Sequence, residues 1–164
     1  MQTTKNILKL EDKNFRINST GWEKRRVHVG ETEGGDEYLV NPEGDVWEIL
    51  SGKHKGEQLF TWDAARRETE KAGKRILTVE EMADILKTKE DVSNLIFAGY
   101  FEKDGLRAFY DGQGRSAYFW TSGNRKSDVY GNIATCFFFT SRSENVACDE
   151  FVKSAGLSVR CIRQ

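Results

Sequence analysis

Histidine is scarce, and that scarcity limits the chemistry open to the chain. His28 and His54 are the only two in 164 residues. Both lie in polar segments and read as surface residues, so histidine-based triads and histidine-rich metal hydrolase sites are poorly supplied. Charge of one sign is also lacking: 25 Lys plus Arg against 26 Asp plus Glu leave a formal charge of −1. That balance argues against nucleic acid or an anionic membrane as partner. No run approaches the roughly 20 apolar residues of a membrane span, so no span is expected. The opening Met1-Gln2-Thr3-Thr4-Lys5-Asn6 has no apolar core of a secretion signal. Three cysteines, Cys136, Cys148 and Cys161, cannot all pair within one chain, and their intervals fit no zinc template. They read as mostly buried thiols.

What is present is enough chain for one domain with a real core. Residues 1 to about 36 are polar and end in Gly34-Gly35-Asp36. Leu8, Leu10, Phe15, Ile17 and Trp22 within them suggest an extended arm or one or two short strands. Residues 1–56 are accordingly read as N-terminal strands or an arm packed on a domain spanning 57–164. Glu37 to Val40, the turn Asn41-Pro42-Glu43-Gly44-Asp45, and Val46 to Leu50 read as strand, turn, strand.

Thr61 caps a helix carrying Ala64, Ala65 and Ala72 and stopped by Gly73. Arg66, Arg67 and Lys71, offset by Glu68 and Glu70, read as its solvated face. Thr78 and Glu81 form a capping box for a second helix, with Val79, Met82, Ala83, Ile85 and Leu86 at helical spacing. From Asn94 onward the period becomes strand-like and glycine-punctuated: Leu95 to Phe101, Ala108 to Tyr110, Ser116 to Thr121, Ala134 to Thr140 and Leu157 to Ile162. The expected fold class is α+β, two helices packed on short antiparallel strands.

Five landmarks in order carry a family likeness: Leu59 to Ala65, Arg75 to Met82, Ala98-Gly99-Tyr100, Ala117-Tyr118-Phe119-Trp120-Thr121-Ser122, and Gly156 to Arg163. Together they resemble the Fibrobacter-type major paralogous domain, which has a C-type-lectin-like fold related to formylglycine-generating enzymes. The resemblance covers about residues 57 to 163. It implies a closing strand over Gly156 to Arg163 that returns near the first strand, and a structural role for Trp120. It also leaves open a disulfide joining Cys136 or Cys148 to Cys161.

The same fold and ending occur in the variable proteins of diversity-generating retroelements, found in phages, bacteria and archaeal viruses. There a randomised C-terminal surface binds ligands. The resemblance would make Trp120 to Arg163 the variable stretch, bracketed by constant Phe119 to Ser122 and Ser158 to Cys161. Randomised asparagine codons yield residues such as Asn, Asp, Tyr, Ser, Phe, Cys and Arg, but not Lys, Glu, Gln, Met or Trp. Asp128, Tyr130, Asn132, Phe137, Phe139, Ser141, Arg142, Ser143, Asn145, Asp149 and Phe151 are compatible with that chemistry and are the expected ligand-binding residues. Within them Tyr130, Phe137, Phe139 and Phe151 would be aromatic anchors, with Asn132, Arg142, Asn145 and Asp149 supplying hydrogen bonds.

The implied function is recognition of a protein or cell-surface ligand, on a virion or cell surface within a larger assembly, or otherwise in the cytoplasm. An undiversified lectin-like adhesion domain is the first alternative. Calcium-dependent sugar-binding relatives use a proline-containing oxygen cluster, and Pro42, the only proline, lies in the wrong half. The formylglycine-generating relatives use a cysteine pair with copper, so a cysteine oxidase built on these thiols is the enzymatic alternative. Cys161 sits in the closing strand, where a structural role is the ordinary one. The expectation is therefore no enzyme, no catalytic residue, no metal and no cofactor. Asp63 and Glu80-Glu81 lie in the first turns of helices, where the dipole already accounts for them.

Overall fold

The computed structural model describes residues 14–29, 32–52, 54–85, 100–104, 107–111, 116–124, 132–140 and 147–163. An antiparallel meander comes first: β1 (Glu23–Val29), β2 (Thr32–Val40), β3 (Val46–Ile49) and β4 (Gln58–Phe60), in that spatial order. Helix α1 (Trp62–Lys71), strand β5 (Lys74–Ile76) and helix α2 (Val79–Ile85) follow. β6 (Tyr100–Asp104) pairs with β7 (Arg107–Asp111). β8 (Ser116–Asn124), β9 (Ile133–Thr140) and β10 (Ala147–Val152) form a sheet in the order β10-β9-β8, and β11 (Cys161–Arg163) pairs with β5.

Eleven strands against two short helices make the described residues predominantly β, which corrects the α+β expectation of two helices packed on short strands. The error arises in the first third. Residues 23–26 of β1 are all exposed, so that strand shows no alternation of apolar side chains, the signal by which strands are recognised. Gly34-Gly35, expected to end the stretch, instead lies inside the nine-residue β2.

The local predictions that rest on hydrogen bonding fare differently. Thr61 caps α1, its Oγ1 accepting the Ala64 N–H at 3.2 Å, and Gly73 leaves the helix at φ +71, a left-handed conformation that suits glycine. Thr78 and Glu81 form both bonds of the capping box: the Thr78 N–H donates to Glu81 Oε1 at 2.9 Å, and the Glu81 N–H to Thr78 Oγ1 at 3.1 Å. In the β2–β3 turn Asn41 Oδ1 accepts the N–H groups of Asp45 and Val46, each at 2.9 Å. Arg67 leaves the solvated face assigned to it. It grips Asp45 with both terminal nitrogens, at 2.7 and 3.1 Å, tying α1 to that turn.

Residues 156 to 161 join these pieces, bonding in turn to several parts of the chain. Gly156 exchanges both backbone bonds with Phe101, Leu157 does so with Phe60, and Ser158 bridges Tyr118 and Trp120. Val159 accepts from Phe15 at 2.7 Å, Arg160 from Leu77 at 3.4 Å, and Cys161 pairs with Ile76. The expected strand over Gly156 to Arg163 is thus reduced to its last three residues. A segment whose partners pass from Phe101 to Phe60, to Tyr118 and Trp120, to Phe15 and only then to Leu77 and Ile76 builds no continuous ladder before its end. β11 pairs with β5; it is Phe15, ahead of β1, that meets the closing segment.

Two apolar clusters flank this segment. One holds Phe15, Phe60, Trp62, Trp120, Leu157, Val159 and the cysteines Cys136 and Cys161. The other holds Tyr38, Trp47, Ile49, Leu59 and Phe101. Trp120 is fully buried and its Nε1–H donates to the Phe60 carbonyl at 2.7 Å, a structural tryptophan with its one polar group satisfied. The docked arm is fastened by Gln58, also fully buried, whose amide accepts the Ile17 N–H at 2.7 Å and donates to the Ile17 carbonyl at 2.8 Å. One side chain here does what a neighbouring strand would do.

Candidate ligand surface

The β8–β9–β10 sheet fixes which side chains meet. Tyr118 lies opposite Phe138, Trp120 opposite Cys136, and Cys136 opposite Asp149; Phe151 faces Ala134. Because opposed residues share a face and alternate residues return to it, Tyr118, Trp120, Phe138, Cys136, Ala134 and Phe151 all lie on one face. In part that face is core, with Trp120, Cys136 and Ala134 at 0% exposure.

The same face also carries a patch of half-buried rings drawn from Tyr118 and Phe138 at one end of the sheet and Phe151 at the other. Tyr118 and Phe138 have centroids 4.8 Å apart, and Tyr100 from β6 stands edge-on to Tyr118 at 5.1 Å. Phe151 closes the group, 5.1 Å from Tyr100 and 5.6 Å from Tyr118. All four are partly exposed. These tilted and edge-to-face contacts suit the ring quadrupoles and hold the patch in one shape. Four ordered rings with exposed area offer contact surface whose side-chain entropy is already lost, the condition under which aromatics anchor a ligand well.

The residues anticipated for binding are distributed unevenly around this patch. Phe151 belongs to it. Asn132 is exposed at the start of the second strand, its carbonyl accepting the Lys153 N–H at 2.8 Å. Phe137 is 5% exposed on the opposite face, and its neighbour across the pair, Phe119, is buried beneath the Arg160 guanidinium at 5.3 Å. As the sheet stands, the Phe137 ring serves packing. Phe139 lies in β9 opposite Ala117, and Asp149 in β10 opposite Cys136. Asp128, Tyr130, Ser141, Arg142, Ser143 and Asn145 lie outside the described residues.

Three patch residues, Tyr100, Tyr118 and Phe138, were not among those anticipated. The signal for two of them was available: aligning the Ser116–Thr121 and Ala134–Thr140 strands antiparallel, with Tyr118 opposite Phe138, places both rings together. Nothing in sequence spacing connects Tyr100 to them, because it arrives from a separate hairpin.

Other chemistry is thinly supplied. Among the described residues no cluster of three or more His, Cys, Asp or Glu could hold a metal ion. Cys136 and Cys161 are buried thiols, 0% and 7% exposed. A shallow cavity of about 280 Å³ lies between the Gly21 turn, β1 and the β2–β3 turn. Its polar side chains are already used, Arg25 by Glu23 at 3.0 Å and Asn41 by its own turn. No helix among the described residues is long and apolar enough to cross a membrane.

No family model matches the chain, and neither the curated proteins nor the solved structures contain a significant match to it.

Proposed function

We propose that the chain is a recognition protein that binds a protein or cell-surface ligand through the β8–β10 region, about residues 123 to 151, next to the aromatic patch. The observation that carries this reading is the patch itself: Tyr100, Tyr118, Phe138 and Phe151 in mutual contact, each still partly exposed. Binding is by surface complementarity, with the rings as anchors and polar residues such as exposed Asn132 for hydrogen bonds.

The resemblance to retroelement variable proteins adds a reason for the surface to vary. The flanking stretches are held in the core: Phe119, Trp120 and Thr121 are at most 1% exposed, and Leu157 to Val159 are fully buried. Burial of Cys136 and Cys161 speaks against a cysteine oxidase, whose thiolates must reach copper and substrate.

Genome sequence around the gene tests the diversification reading. The expected finding is a near-copy of the coding stretch for Trp120 to Arg163 beside a reverse-transcriptase gene, with mismatches confined to adenines of the copy. A complete genome without such a copy would leave an undiversified adhesion module in its place.

A further inference from the structure

Asn18-Ser19-Thr20 is the one place in the sequence where an asparagine is followed two residues on by serine or threonine, the spacing at which N-linked oligosaccharides are attached. Such a triplet is common by chance, and the structure around it decides what it can do. It forms an exposed turn between the docked arm and β1. Asn18 and Thr20 are exposed, and Asn18 Oδ1 accepts both the Thr20 N–H at 2.9 Å and the Thr20 Oγ1–H at 2.7 Å. Trp22 donates its N–H to the Ser19 carbonyl at 3.2 Å, and Gly21 takes φ +82. On one side Ile17 is held by Gln58, and on the other Trp22 packs partly buried against the core. Between those anchors the backbone of residues 18–21 bonds, among the described residues, only within the turn.

The turn makes use of the amide oxygen alone. An aspartate at that position would accept the same two bonds, so the fold does not require the amide nitrogen. Nδ2 of Asn18 donates to nothing among the described residues. Asn14 and Asn41 differ: they are 6% and 5% exposed, and their Nδ2 groups bond to Glu57 and Ser158, and to Glu43 and Asp45. Asn132 is exposed but has Ala134 where a hydroxyl is needed. Asn18 alone among these four combines an exposed, unengaged amide nitrogen with a hydroxyl two residues on.

We infer that Asn18 is an acceptor site for an N-linked oligosaccharide. The donor is an oligosaccharide carried on a polyprenyl pyrophosphate, and the catalyst an oligosaccharyltransferase. Nδ2 attacks the anomeric carbon, and the new C–N bond forms as the bond from that carbon to the pyrophosphate oxygen breaks. The amide proton passes to a carboxylate of the transferase, and polyprenyl pyrophosphate leaves. The Thr20 hydroxyl gives the transferase a second group to recognise, and its bond to Oδ1 keeps it beside the reacting amide. A chain acting at a cell surface, as proposed above, crosses the membrane at which such transferases work. The site itself uses none of the four rings of the aromatic patch, so it stands or falls independently of that surface.

The test uses the folded, full-length protein, a purified oligosaccharyltransferase that reads only the asparagine and the hydroxyl two residues on, and polyprenyl-pyrophosphate-linked chitobiose as donor. Intact mass is read before and after reaction. The expected result is a gain of one disaccharide per chain, placed at Asn18 by peptide mapping, and an amidase that releases the sugar should leave aspartate there. Asn18→Gln and Thr20→Val should abolish the gain, and Thr20→Ser, which keeps the hydroxyl, should retain it, all with little change in melting temperature. Should a variant fail to fold, the position of the sugar in the unaltered protein decides. No gain, a sugar at any other residue, a gain unaffected by Asn18→Gln or Thr20→Val, or a gain seen only after unfolding in urea would each overturn the inference.

Discussion

Gly156 lies against the indole of Trp47 so closely that a Cβ there would stand 2.8 Å from Cε3 and 2.9 Å from Cζ3, with Leu59 Cβ 3.2 Å away on another side. The glycine needs no unusual backbone angle; what it supplies is room. Trp47 cannot withdraw, being 2% exposed and stacked on Phe101 at 4.5 Å. Gly156→Ala should therefore destabilise the protein by about 1–3 kcal/mol, the usual cost of overpacking a closed core. Urea denaturation measures it. Adding Trp47→Phe should recover part of the loss, which a purely backbone effect would not allow.

The Gln58 amide gives a second prediction. Gln58→Leu keeps apolar bulk but leaves the Ile17 N–H and C=O and the Glu48 carboxylate without the bonds they now make at 2.7, 2.8 and 2.9 Å. An unpaired buried polar group costs about 1–3 kcal/mol. Part of this is avoided if the arm around Ile17 comes away into water. Limited proteolysis should thus cut near residues 16–18 faster in the variant, with a smaller change in global stability than that cost implies.

Among the described residues two carboxylates, Glu81 and Asp45, are held below their ordinary range. Hydrogen bonds from Arg75 hold the Glu81 carboxyl below the ordinary glutamate range, against burial and with help from Thr78. Burial would raise Asp45, but hydrogen bonds from Arg67 and Asn41 outweigh it and leave its carboxyl below the ordinary aspartate range. A carboxylate whose folded pKa lies below its unfolded value stabilises the fold above the unfolded value, and that stability is lost as pH falls through the folded one. Melting temperature should drop as pH falls below the ordinary carboxylate range. Glu81→Gln should be less stable near neutrality and show a shallower acid decline, with the Asp45 contribution still present.

The aromatic patch and the core should separate under truncation. Phe119→Ala removes a ring that is 1% exposed and should cost about 3–5 kcal/mol. Phe151→Ala, at a partly exposed position, should cost about 1–2 kcal/mol, in keeping with its smaller buried area. Of the residues anticipated for binding, Tyr130→Ala and Phe139→Ala should weaken binding of the proposed ligand without a comparable loss of stability. If either unfolds the domain, that residue belongs to the core.

Sequence legibility followed the range of the interactions involved. Thr61, Gly73, the Thr78–Glu81 box and the Asn41 turn are satisfied by neighbours a few residues away, so residue type and spacing suffice to place them. The mostly β class was hidden because β1 carries Glu23, Lys24, Arg25 and Arg26 in succession, residues that pairing with β2 tolerates but that no alternation reveals. Of the residues anticipated for binding, Phe151 is in contact with Tyr100 and Tyr118 and Asn132 is exposed. The burial of Phe137 was not legible, since it depends on both faces of the sheet being covered. The Arg67–Asp45 fork joins residues 22 apart in the chain, and spacing alone marked Arg67 as solvated.

The closing segment also bears on the order in which the protein can be made. Residues 156 to 161 complete the backbone pairing of Phe15, Phe60, Ile76, Phe101 and Trp120, all of which leave the ribosome earlier. Until that segment emerges, these residues lack the backbone partners it supplies and the two apolar clusters are not joined. Pairings so distant in sequence give a high contact order, and such chains fold slowly. Stalled or shortened translation products should accordingly be prone to aggregate, and the nascent protein should depend on chaperones until residue 161 has been added.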